Sequence, residues 1–196
     1  MAEYDSKTAL IVVDMQNDFA DPRGALYVRG GEGVLPVANA EIAKARAAGA
    51  LVVYTEDWHP PSTPHFAKDG GTWPVHCVRD TWGAELHPDL DVAAALTLRK
   101  VVRTGTGDEE GYSAFEASPD PNEPSRLERL LREHGIERLV VLGLATDYCV
   151  RATTLDGLAA GFAATVLTDG VRAVDLKAGD GERALDEMRR AGAVVE

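Results

Sequence analysis

Six short runs rich in β-branched and aliphatic residues recur along the chain: Thr8–Val13, Ala50–Thr55, Leu96–Val102, Arg138–Leu142, Ala163–Thr168 and Ala193–Val195. Stretches with helical apolar spacing separate several of them: Val34–Ala48, Ser125–His134, Val150–Ala160 and Asp180–Arg190. Continuous apolar runs of this length suit strands buried on both faces. Strands alternating with helices demand right-handed crossovers. The expected fold is therefore α/β: a three-layer, Rossmann-like parallel sheet with helices on both faces. Glycines at 49, 135 and 161 follow three of the helical stretches, where helices commonly stop. Asp169-Gly170 reads as a turn closing the Ala163–Thr168 strand.

In open parallel sheets, ligands bind at the carboxyl ends of the strands. Polar residues at those ends are the first candidates for chemistry. Asp14 follows the first run, Asp57-Trp58-His59 ends the second, Lys100 lies in the third, and Cys149 follows the fourth after a short turn. Each has an ordinary structural alternative. Asp14 can cap a turn, Lys100 can mark a sheet edge, and Cys149 can be a small core residue. Four such groups converging on one crevice outweigh those alternatives. A cysteine at a helix start meets backbone N–H groups and the positive dipole end, which favour thiolate. The same N–H groups can receive an oxyanion. Asp14 would serve as the base, although reference values of about 3.9 and 8.5 for the two groups are far apart. Burial would raise Asp14, and a neighbouring lysine would lower both groups.

Asp57 and His59 lie two apart in an extended segment, so their side chains share a side. With His65 and His76 they form a set suited to zinc, iron or manganese. His87 and His134 read as a turn residue and a helix-end residue. The Pro60–Val92 stretch has no periodicity, and its tryptophans and candidate ligands mark it as ordered and functional.

The chain has 196 residues, a length that fits one domain spanning 1–196. Its formal charge of −12 disfavours nucleic acid and anionic membranes. No run approaches a membrane span, and the N-terminus lacks a signal-peptide pattern, so a cytoplasmic location is the default. Two cysteines, Cys77 and Cys149, without metal-ribbon spacing read as free thiols, Cys77 in a packing role. Homo-oligomerisation is compatible with all of this.

Several stretches taken together resemble the nicotinamidase/pyrazinamidase branch of the isochorismatase-like cysteine hydrolases. They are IVVDMQNDF (Ile11–Phe19), DWHP (Asp57–Pro60), HF (His65–Phe66) and WPVHCV (Trp73–Val78). The others are the lysine of LRKVVRTG (Leu98–Gly105), YSAFE (Tyr112–Glu116) and LGLATDYCV (Leu142–Val150). They occur in the family's order across nearly the whole chain. The resemblance implies a catalytic triad of Asp14, Lys100 and Cys149. It implies one divalent ion per chain, zinc first and iron or manganese next, on Asp57, His59 and His76, with His65 as a further ligand in some members. It implies a cis peptide bond at Leu144–Ala145, with the N–H groups of Ala145 and Cys149 as oxyanion hole. Phe19, Trp73 and Tyr112 would clamp the substrate ring. The implied reaction is hydrolysis of nicotinamide to nicotinate and ammonia, serving NAD salvage, with pyrazinamide as a second substrate. Action on another amide, ureido or carbamoyl compound is the alternative within the fold. A catalytically silent module that holds a pyridine is the alternative outside enzymes.

Overall fold

The computed structural model describes residues 3–92, 111–115 and 123–196, and residues 96–101 by their backbone. Strands β1 (Thr8–Val13), β2 (Leu51–Trp58), β3 (Leu96–Val101), β4 (Arg138–Leu144), β5 (Ala163–Arg172) and β6 (Val194–Val195) form one sheet. Its order is β3-β2-β1-β4-β5-β6, and every pairing is parallel. The helices are α1 (Asn17–Ala20), α2 (Val34–Ala47), α3 (Arg126–Glu133), α4 (Arg151–Ala159) and α5 (Asp180–Arg190). No helix among the described residues is long and apolar enough to cross a membrane.

Every residue of β1 is buried, as expected for a strand covered on both sides. Its side chains alternate between two cores. Leu10 and Val12 pack with Val34, Ala38, Ile42 and Ala45 of α2. Ala9, Ile11 and Val13 pack with Leu127 and Leu131 of α3 and Met188 of α5. The three-layer expectation holds. Helix α3 starts where Ser125 accepts a hydrogen bond from the Glu128 N–H at 3.1 Å, the geometry its Ser-x-x-Glu spacing favours.

Several boundaries differ from the sequence reading. β2 runs on to Trp58, so Asp57 lies inside the strand, paired in register with Lys100 of β3. β4 continues through Gly143 to Leu144. Gly143 has φ 121°, and a Cβ there would sit 2.1 Å from the Val13 carbonyl oxygen. Only glycine lets β1 and β4 approach so closely at their carboxyl ends. Asp169-Gly170 does not reverse the chain. It lies within β5, whose register with β4 shifts between Val141 and Gly143, so the extra residues are absorbed as a bulge. The chain after β4 does not enter an α-helix directly. Thr146–Val150 form one wider turn in which the Val150 N–H reaches the Ala145 carbonyl at 3.1 Å, and α4 follows.

Candidate functional site

The carboxyl ends of β1, β2 and β4 lie side by side because Val13 pairs with Gly143 and β2 flanks β1. Asp14 is the residue at which the chain leaves β1. It is fully buried, in the left-handed region at φ 47°. Its Oδ1 accepts the Thr55 hydroxyl at 2.5 Å, and its N–H donates to that oxygen at 3.1 Å. From β4 come Ala145, across a cis Leu144–Ala145 peptide bond, and Cys149 inside the wide turn, both nearly buried. Asp147 in that turn accepts the N–H groups of Val174 and Asp175, each at 2.9 Å. The nucleophile candidate is thereby tied to the loop after β5.

At the end of β2, Asp57 Oδ2 lies 2.8 Å from His59 Nε2 and 3.3 Å from His76 Nε2. His65 stacks on His59 with ring centroids 4.9 Å apart. One ligand atom from each of His59, His65 and His76 falls within 4.8 Å of the others. The His76 Nδ1–H donates to the Pro74 carbonyl at 2.7 Å, which leaves Nε2 as the acceptor facing Asp57. His59 is fully buried, and its Nδ1 has no hydrogen-bond partner. Three clustered imidazoles, one with its tautomer set by a backbone carbonyl, and a carboxylate oxygen against two of them fit a divalent ion of the zinc class. The unshared His59 nitrogen has no hydrogen-bonding explanation and is consistent with that donor set.

One cavity joins these parts. Cys149 and Ala145 line one side, Asp57, His65 and His76 another, and Phe19, Trp73, Tyr112 and Tyr148 the walls between. The Trp73 indole N–H donates to the Tyr112 hydroxyl at 2.8 Å. Tyr148 meets Trp73 edge-on at 4.9 Å and Tyr112 at 5.2 Å. Phe19 tilts against His76 at 5.5 Å. Apolar Leu26, Val28 and Val174 complete the lining.

The residues singled out in the sequence therefore gather here with two qualifications. Asp14 and His59 are fully buried and are not on the cavity wall. Lys100 is placed by its backbone alone, beside Asp57, and its side chain lies outside the described residues, as do 102–110 and Glu116. Cys77 is buried in the α2-side core, and both cysteines are free thiols. Burial first, then the carboxylates of Asp57, Asp18 and Asp14, push the Cys77 thiol well up. It stays a neutral packing group, which leaves Cys149 as the nucleophile candidate.

Sequence reasoning missed Tyr148, Leu26, Val28 and Val174 as lining residues. Tyr148 was legible in principle, one place before Cys149. The other three sit in segments without periodicity and are brought in by tertiary contacts.

A parallel α/β sheet that carries a cysteine, a carboxylate–imidazole cluster and an aromatic cavity at its carboxyl edge defines a class of small-molecule-binding α/β proteins. Within that class, the chain belongs to the isochorismatase family, whose domain description matches residues 8–196. It is 38% identical over 203 residues to the nicotinamidase of Escherichia coli, covering 95% of this chain and 93% of that protein. The pyrazinamidase of Pyrococcus horikoshii, solved in complex with zinc, is 43% identical with a TM-score of 0.82, covering 97% of this chain and 98% of that one. PnC1 from L. infantum, solved in complex with nicotinate, is 35% identical with a TM-score of 0.87, covering 100% and 95%.

Proposed function

We propose that this protein is a metal-containing cysteine amidohydrolase, a single domain that converts nicotinamide to nicotinate and ammonia and also cleaves pyrazinamide. The observation that carries the reading is the shared cavity. Cys149, the three cluster residues Asp57, His65 and His76, and four aromatic rings face one apolar space suited to a flat heteroaromatic amide. The nicotinamidase and nicotinate-bound relatives support it.

Cys149 Sγ, having given its proton to Asp14, attacks the carboxamide carbon. The oxyanion is received by the backbone N–H groups of Ala145 and Cys149. The C–N bond breaks, and ammonia leaves with the proton held by Asp14. Water then attacks the thioester, passing one proton through Asp14 to sulfur as the C–S bond breaks, so that the thiol is restored and the acid leaves, releasing its remaining proton to solvent as nicotinate. Lys100, at the register position beside Asp57, is assigned to the triad by family resemblance and would favour the thiolate. Phe19, Trp73 and Tyr112 would sandwich the ring. Asp57, His59 and His76 would hold one divalent ion, zinc first, with His65 closing the set; when bound, the ion supplies a Lewis acid to the pyridine nitrogen or a water beside it.

The test is ammonia release from nicotinamide by purified protein as isolated, after chelation, and after return of zinc, manganese or iron. Turnover lost on chelation and restored by one ion is the expected result. Absence of turnover under every condition refutes the nicotinamide reading. Faster release from a ureido or carbamoyl compound than from nicotinamide assigns the site to those substrates instead.

A further inference from the structure

The six residues from Asp14 to Phe19 include three polar side chains that the proposed reaction does not use, Gln16, Asn17 and Asp18, respectively 0%, 2% and 7% exposed, and two of them, Gln16 and Asp18, reach the metal cluster. Gln16 takes over where β1 stops. Its Oε1 accepts the Asp57 N–H at 2.7 Å, and its Nε2 donates to the Asp57 carbonyl at 2.7 Å. One side-chain amide thus pairs with both backbone groups of Asp57, as a neighbouring strand would. The same Nε2 donates to the Ala84 carbonyl at 2.8 Å. Glutamate could not donate these bonds, and asparagine is one methylene shorter.

Asp18 acts on the other side of the metal cluster. Its Oδ2 accepts the N–H of Cys77, the residue after His76, at 2.7 Å. Its Oδ1 accepts the Ala25 N–H at 2.9 Å, next to Leu26 of the cavity wall. The Cys77 carbonyl in turn accepts the His59 N–H at 2.9 Å. Cys77 itself is held in the left-handed region at φ 44°. Cys77, the residue after His76, is therefore fixed at both its N–H and its C=O, by Asp18 and by His59.

We propose that Gln16 and Asp18 are positioning residues for the metal: Gln16 fixes Asp57 and Asp18 fixes His76, so that their ligand atoms stand ready before an ion arrives. This rests on the metal-site reading above. Outer partners that orient metal ligands typically carry about 10–100-fold in affinity. These two side chains tie the segments that carry Asp57 and His76 to the end of β1.

The experiment is zinc titration of chelated protein against a chromophoric chelator, with unfolding of the metal-free protein measured beside it. Gln16→Met and Asp18→Asn should each weaken zinc binding about 10–100-fold. Leu131→Ala, in the α3-side core away from the cluster, should lower unfolding stability while keeping wild-type zinc affinity. Gly83→Ala approaches the same link from outside, because a Cβ there would lie 2.0 Å from Asp18 Oδ2 and must displace the carboxylate. It should also weaken zinc binding, and it decides the matter if a direct replacement fails to fold. Wild-type zinc affinity in folded Gln16→Met overturns the proposal for Gln16, and wild-type affinity in folded Asp18→Asn or Gly83→Ala overturns it for Asp18. A wild-type protein that takes up no zinc, manganese or iron refutes the metal reading and this inference together. Zinc binding without nicotinamide turnover refutes only the substrate.

Discussion

Replacing Asp147 by Asn tests how the nucleophile turn is joined to the cavity wall. The carboxylate is nearly buried and accepts two backbone N–H groups, from Val174 and Asp175, at 2.9 Å each. A hydrogen bond to a charged acceptor contributes about 1.5–3 kcal/mol, and leaving a buried N–H unpaired costs about 1–3 kcal/mol. Asparagine keeps one acceptor and turns an NH₂ toward the second N–H. The expected loss is about 2–4 kcal/mol. With a urea slope near 2 kcal/mol/M, the midpoint falls by about 1–2 M. The measurement is urea unfolding of the chelated protein, so that metal linkage does not mask the change. Val174 lines the cavity, so KM for nicotinamide should rise several-fold in the same variant. A midpoint within about 0.3 M of wild type would refute the reasoning, since it would mean that the two bonds carry no net energy.

Cys149→Ala should abolish ammonia release while leaving zinc binding intact, because Cys149 is absent from the histidine cluster; retained turnover removes it from the mechanism. Tyr112→Phe removes the acceptor for the Trp73 indole N–H, and steady-state kinetics should show KM raised about 5-fold, the equivalent of one neutral hydrogen bond of about 1 kcal/mol. Burial raises the Tyr54 phenol above its ordinary value of 10.0, and burial with a hydrogen bond to Glu41 does the same to Tyr4. Above pH 10 the unfolded chain releases these protons and the folded chain keeps them, so their contribution is complete below pH 10 and declines above it. Tyr54→Phe should flatten the fall of stability between about pH 10 and 12, as measured by denaturant unfolding at each pH; an unchanged slope contradicts the assignment.

The first strand and the last helix were the most legible parts of this molecule. β1 and α5 fall where their apolar patterns place them, because β1 is buried on both faces and α5 has one apolar side. The meeting of Asp57 and His59 was legible too, since their spacing alone puts both side chains on one side of a strand. Asp169-Gly170 misled because a strong local turn signal was overruled by pairing with β4, which took up the surplus as a bulge. Cys149 was expected in the first turn of an α-helix and lies in a wider one, a difference that no periodicity encodes. Gln16, Asp18 and Asp147 were invisible as positioning groups, because their partners lie far away in sequence or in aperiodic loops. Polar residues that bind distant backbone leave no pattern in their own neighbourhood.

The pairing of β1 with β4 has a consequence for how the protein comes into being. Thr8 meets Arg138 across 130 positions, and the two strands occupy the middle of the sheet. During synthesis, the chain through residue 92 already carries all four candidate metal donors and can pair β1 with β2. The candidate nucleophile Cys149 emerges only with the strand that completes the centre of the sheet. Loop closure over such a span is slow. The candidate ligands are therefore made before the thiol turn can assemble, and on the proposed function a chain released early would carry the metal donors without the nucleophile.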